Sequence, residues 1–94
     1  MSYQILYFPS VIKEDIPDLD KKIRDRVKKA IEKKLATHPE IFGRPLNNPF
    51  KNFYKLRVGD WRIVFKIEKG QVVIIFIIQH RSKVYKNLLA RIFS

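Results

Sequence analysis

The sequence contains no cysteine. That excludes a disulfide scaffold, a thiolate zinc site and a cysteine nucleophile. The two histidines, His38 and His80, are too few for the common structural zinc sites. Acidic residues are scarce, nine against twenty lysines and arginines, and no cluster of Asp, Glu and His points to a metal centre. Neither a metal nor a cofactor is expected. Glycine is scarce as well, and no serine has the flanking glycines of a nucleophile elbow, which argues against a Ser/His/Asp hydrolase. Long hydrophobic runs are missing too. The longest, Val72 to Ile78, falls far short of the roughly 20 residues that span a bilayer. The N-terminal stretch lacks the basic start and apolar core of a secretory signal. Together these absences predict a soluble cytoplasmic protein that does not engage membranes.

What is present is enough for one core. The chain has 94 residues, 46% hydrophobic and 13% aromatic, so residues 1–94 read as a single domain. The net charge is +11 and unevenly placed. Up to Asn47 there are ten basic and seven acidic residues; beyond it there are ten and two, the two being Asp60 and Glu68. A one-sided excess of this kind points to a polyanionic partner.

The pattern of elements is α+β. Tyr3 to Phe8 has strand composition. Ser10 is placed to cap a short helix, Val11 to Ile16, which Pro17 interrupts. Asp18 is placed to cap a longer helix with Leu19, Ile23, Val27, Ala30, Ile31 and Leu35 along one stripe. The opposite side of that helix carries Lys21, Lys22, Arg24, Arg26, Lys28, Lys29 and Lys33 and reads as solvated surface. Thr37 to Pro39 ends it, and His38 to Asn52 reads as a loop rich in breakers.

Three strands follow. Phe53 to Val58 alternates, with Tyr54, Leu56 and Val58 on one face and Phe53, Lys55 and Arg57 on the other. After a Gly59-Asp60 turn, Trp61, Ile63, Phe65 and Ile67 face the core while Arg62, Val64 and Lys66 face away. After Lys69-Gly70, the apolar run Val72 to Ile78 is a central strand covered on both faces. Lys83 to Phe93 closes the chain as a helix, with Leu88 and Ile92 packing on the sheet. The order β-α-α-β-β-β-α places two N-terminal helices on one face of an antiparallel sheet. Lys55, Arg57, Arg62 and Lys66 fall on the other face. Packing does not explain such a concentration of cations, and like charges on neighbouring strands repel. An anionic ligand is therefore expected there.

Cleavage of RNA through the ribose 2′-hydroxyl needs a base, cations for the charged phosphorane and a proton donor for the leaving oxygen. It needs no metal. A lysine crowded by cations can serve as the base, and an aromatic ring can stack on a nucleobase. Lys55, Arg57, Arg62, His80, Arg81 and Tyr85 supply these groups. Lys51, Lys66 and Lys83, with Arg57, are candidates for holding RNA.

The stretch Phe53 to Phe65, FYKLRVGDWRIVF, resembles the Y-(K/R)-x-R-x-G-x-(Y/W)-R segment of the RelE/ParE toxin superfamily. His80 to Tyr85, HRSKVY, resembles the H-R-x-x-(V/I)-Y ending of its RelE branch. Length and element order agree along essentially the whole chain. The resemblance implies a RelE-like fold and the toxin of a type II toxin–antitoxin pair, a ribosome-dependent mRNA endonuclease that inhibits translation. It implies Lys55 as general base, Arg62 as phosphate stabiliser, Arg81 as general acid or phosphate ligand, and Tyr85 as the ring stacked on substrate. Phe53 departs from the RelE pattern, which has a second lysine there; His80 is a candidate to share the acid–base work. The partners implied are mRNA on the ribosome and an acidic antitoxin with an extended or helical segment, in a toxin–antitoxin hetero-oligomer. The alternative within the superfamily is a ParE-like inhibitor of DNA gyrase without nuclease activity. A plain RNA-binding module is the reading that charge alone permits.

Overall fold

The computed structural model describes residues 2–93. Its elements in chain order are β1 (Gln4–Tyr7), α1 (Ile16–Asp18), α2 (Lys21–Ala30), α3 (Pro39–Phe42), β2 (Arg44–Pro45), β3 (Tyr54–Val58), β4 (Trp61–Glu68), β5 (Val72–His80) and α4 (Val84–Ile92). Wide π-helical turns precede α1 at Val11–Asp15 and extend α2 at Ile31–Leu35. The strands form one sheet in the order β1-β5-β4-β3-β2. The β3, β4 and β5 pairs are antiparallel, as their short turns require. The pairing of β1 with β5 is parallel, so the expected antiparallel sheet carries one parallel edge strand. The intervening helices and strands make the long connection that parallel strands need.

Alternation along β3 and β4 builds two apolar layers. Leu56, Val58, Ile63 and Phe65 join Val27, Ile31 and Leu35 of the helical pair on the first face. Phe53, Val64, Phe76 and Ile77 join Val84 and Leu88 of α4 on the second. Ile63, Val64, Phe65, Ile75, Ile77 and Ile78 are fully buried, each worth about 1.5–3 kcal/mol against exposure. The β4–β5 register shifts between Val64 and Phe65, so Phe76 has no partner on β4. That bulge puts Phe76 and Ile77 in the same layer; the β5 run does not alternate because both of its faces are covered by apolar layers.

Several expected boundaries move. The chain is already helical at Ser10, whose side chain caps nothing. Pro17 sits in the first turn of α1, where a missing N–H is tolerated, and the helical run continues to Asp18. Leu19 is extended, and Asp20 rather than Asp18 caps α2, accepting the Ile23 N–H at 2.9 Å. The expected loop from His38 to Asn52 contains α3 and β2. Pro39 opens α3 and Gly43 follows its end, the positions where those residues flank helices. Leu88 is buried and Ile92 half-buried against the second layer, whereas Leu89 and Phe93 are exposed.

Candidate active site

The cations of the second sheet face lie in rows set by register. Arg57, Arg62 and Gln79 are successive partners across β3, β4 and β5. Lys55, Val64 and Ile77 make the next row. Lys66, with Phe53 and Phe76 beside it, lies beyond. Pairing Arg57 with Arg62 sets two like charges opposite each other, an arrangement that repels unless an anion joins it.

The Gly59-Asp60 turn gathers two arginines, Arg62 and Arg81. Gly59 has φ +60°, a left-handed conformation natural to glycine. Arg62 is only 8% exposed because its guanidinium folds back onto this turn. Its Nη1 donates to Gly59 O and Trp61 O, both at 3.0 Å. Nε and Nη2 have no protein partner among the described residues. Two carbonyls offset a buried guanidinium only in part, so a phosphate would complete its hydrogen bonding. Arg81 is tied to the same turn: its N–H donates to Asp60 O at 2.8 Å. Its exposed side chain stands 3.7 Å from the Asp60 carboxylate, a pair weak enough for phosphate to displace.

His80 is not brought onto this face. Register sets it opposite Trp61, which packs in the layer under the helices, and the two rings meet edge to face at 5.5 Å. His80 Nδ1 accepts the Ser82 N–H at 3.1 Å and lies 2.9 Å from Ser82 Oγ. The ring thereby pins the turn that carries Arg81. Tyr85, in the first turn of α4, packs on the second layer with its ring 6.1 Å from that of Phe50. Lys66 Nζ sits 4.7 Å over Phe53 and 5.7 Å from Phe76. Phe53 itself is buried, so the residue that departs from the RelE pattern belongs to the core of the second layer. Lys51 and Lys83 are exposed at separate ends of the site, before β3 and before α4.

A network that the sequence did not suggest supports this face from behind. Asp15 is 2% exposed and accepts the Ile78 N–H at 2.9 Å and Gln79 Nε2 at 3.1 Å. Beyond Tyr7, β1 no longer pairs with β5, so Asp15 replaces the missing strand partner at Ile78. Asn87 of α4 donates to Gln79 Oε1 at 2.6 Å, and Arg91 binds Asp15. The one available signal was spacing: Asp15 lies four residues after the buried Val11, on the same helical face.

On the opposite side of the molecule, an apolar groove of about 330 Å³ is lined by Tyr7, Ile12, Ile16, Leu19, Val27 and Ile31 and rimmed by Arg24 and Lys28. Partial burial, and next the charge of Glu32, raise the Tyr7 phenol above its ordinary value. Among the described residues, no group of three or more His, Asp and Glu is placed to hold a metal ion, and no helix is long and apolar enough to cross a membrane.

A family profile described as "ParE toxin of type II toxin-antitoxin system, parDE" matches residues 8–85. No curated protein matches the chain significantly. Among solved structures, the RelBE2 toxin–antitoxin complex of Mycobacterium tuberculosis contains a chain that is 22% identical, with TM-score 0.79, covering 86% of this chain and 100% of that one. A mutant of the E. coli toxin RelE in the free state is 22% identical with TM-score 0.72, covering 98% and 99%. The RelB–RelE antitoxin–toxin complex of Methanococcus jannaschii gives 21% identity and TM-score 0.65, covering 87% and 96%.

Proposed function

The chain belongs to the RelE/ParE superfamily of toxins from type II toxin–antitoxin systems, and from that premise we propose that it is an endoribonuclease that cuts mRNA on the ribosome and so inhibits translation. The observation that carries this reading is that Arg62 and Arg81 both bond to one turn, with Arg57 opposite Arg62 across the strands, Lys55 on the same sheet face and Tyr85 on the helix packed on that layer.

The chemistry follows from those positions. Lys55 takes the proton of the ribose 2′-hydroxyl. The 2′-oxygen forms a bond to phosphorus, and the bond from phosphorus to the 5′-oxygen of the next nucleotide breaks. Arg62, through its unpartnered Nε and Nη2, and Arg81 stabilise the charge that builds on the phosphoryl oxygens. Under this reading Arg81 also protonates the departing 5′-oxygen. The products are a 2′,3′-cyclic phosphate and a free 5′-hydroxyl, so atoms and protons balance without a further reactant. Tyr85 stacks on a nucleobase. Arg57 holds a neighbouring phosphate, as do Lys51, Lys66 and Lys83 further out. His80 holds the Arg81 turn and takes no proton in this scheme.

The site works in the cytoplasm under this reading, and a cognate antitoxin restrains it. An antitoxin segment with an apolar face and acidic flanks fits the groove between Tyr7 and Ile31, whose rim carries Arg24 and Lys28.

The profile match favours a second reading, a ParE-like toxin that binds DNA gyrase and is no enzyme. A translation reaction on a defined mRNA, read by primer extension, tests the two. The nuclease reading expects cuts at codons in the ribosomal A site, lost in Tyr85→Ala. Intact mRNA, together with accumulated gyrase–DNA cleavage complexes, would replace it with the second.

A further inference from the structure

A second basic surface lies outside the proposed cleavage site. Arg26, Lys29, Lys33 and Lys34 of the α2 arm line a groove of about 320 Å³, with Arg57, Val58 and Gly59 as its other wall. Short β2 pairs only with Tyr54 and Lys55, so β3 is open along this edge at Arg57 and Val58. The spacing of 26, 29 and 33 puts three cations on one side of the helical arm, spread over about 10 Å at 1.5 Å per residue. The Arg26 guanidinium lies over the β3–β4 turn; a Cβ on Gly59 would meet its Nη1 at 3.2 Å. Lys34 Nζ is shared with the Phe42 ring at 5.6 Å. Among the described residues, none of Arg26, Lys29, Lys33 and Arg57 has an ion-pair partner.

We propose that this groove is a docking site for the phosphate backbone of double-helical RNA, separate from the face that holds the strand to be cut. Three features choose that partner. The groove offers no exposed apolar residue, since Val58 is buried and Ala30 half-buried, whereas protein interfaces are anchored by apolar and aromatic side chains. The apolar surface suited to a protein segment lies on the other flank of α2, at Tyr7, Ile12 and Val27. No aromatic side chain lines the basic groove, and proteins that hold single strands stack unpaired bases on such rings. A surface of cations alone fits a nucleic acid whose bases are already paired and whose shape and phosphates are all that is read. The aromatic rings sit instead on the cleavage face, at Phe50 and Tyr85. Each RNA form thus has its own surface, and Arg57 stands where the two meet. This gives Arg26, Lys29 and Lys33 a role beyond solubility.

The inference rests on the RNA-directed reading above, and binding is measured without cleavage so that the two can fail separately. Fluorescence anisotropy with a 20-base-pair RNA duplex and a 12-nucleotide single strand would be followed from 50 to 300 mM KCl. Lys29→Gln/Lys33→Gln is the groove variant. Lys21→Gln/Lys22→Gln, exposed at the start of the same helix, is the control of equal charge. The groove variant should bind the duplex at least ~10-fold more weakly at 0.1 M salt, with a salt slope lower by about two, while the single strand and the control variant change little. Equal losses in groove and control variants would overturn the docking site, leaving only general charge. So would a loss for the single strand as large as for the duplex. A groove variant that keeps the duplex but no longer binds an acidic antitoxin peptide would reassign the groove to a protein. Duplex binding that depends on Lys29 and Lys33, in a protein that cuts no mRNA, would uphold the groove and remove the nuclease.

Discussion

Arg91 holds Asp15 in a two-pronged buried ion pair across 76 positions of sequence, Nη1 to Oδ2 at 2.8 Å and Nη2 to Oδ1 at 3.1 Å. The side chains are 12% and 1% exposed. Arg91 Nη1 also donates to Phe76 O at 2.8 Å, so the guanidinium joins α4, the bulge of β5 and the first helical segment. A pair like this adds little net stability over apolar packing, but breaking it leaves a charge stranded.

Arg91→Met should therefore destabilise the fold by about 3 kcal/mol, which lowers Tm by about 12–24 °C in a domain this small. Asp15→Leu/Arg91→Met removes both charges and should recover part of the loss. It should not reach the wild type, because the buried Ile78 N–H then lacks its acceptor, at a cost of about 1–3 kcal/mol. Urea unfolding measures all three proteins. A double variant as stable as the wild type would show that Ile78 finds another partner.

Gly43 is needed for space and not for backbone freedom, since its φ is −79°. A Cβ there would lie 2.5 Å from Phe65 Cζ and 2.8 Å from Pro39 O. Phe65 is fully buried and the carbonyl is backbone, so neither can yield cheaply. Gly43→Ala should cost about 1–3 kcal/mol by overpacking, read as a lower urea midpoint with an unchanged slope. An unchanged midpoint would mean that α3 and β2 shift freely against the sheet.

The sheet and its two faces were legible because alternation in β3 and β4 sorts side chains by parity, and parity survives folding. Lys55, Arg57, Arg62 and Lys66 could therefore be placed together from spacing alone. His80 could not, because its face depends on the bulge opposite Val64 and Phe65, which changes the phase of β5. Asp18 and Asp20 are equal as caps in sequence; burial of Leu19 at 3% exposure decides for Asp20. Pro39 and Gly43 look like loop residues until the helix between them is known. The Asp15 network joins residues 63 to 76 positions apart, and no local pattern carries that information.

Tyr7 gives a pH dependence with a definite sign. Its phenol ionises with more difficulty in the folded chain than in the unfolded one, owing first to burial and then to Glu32. The contribution of its neutral form is complete below the ordinary value of 10.0 and is lost as pH rises through the raised folded value. Tyr7→Phe should consequently lose less stability than the wild type between pH 9 and pH 11. Parallel losses in the two proteins would place the high-pH sensitivity in other groups.

Arg81 and Asp60 separate a phosphate ligand from a surface ion pair. The backbone bond from Arg81 N–H to Asp60 O survives substitution of either side chain, so the turn keeps its course. Arg81→Ala should lower RNA cleavage by about 10²–10³-fold, the size expected for a lost transition-state donor. Asp60→Ala should leave cleavage within about threefold, since an exposed pair is worth about 0–1 kcal/mol and its loss frees the guanidinium for phosphate. Both variants should unfold within about 1 kcal/mol of the wild type. Single-turnover cleavage and urea midpoints measure the two effects independently. Equal losses of cleavage in both variants would mean that Arg81 acts only by bracing the turn, and the charge stabilisation assigned to it would pass to Arg62.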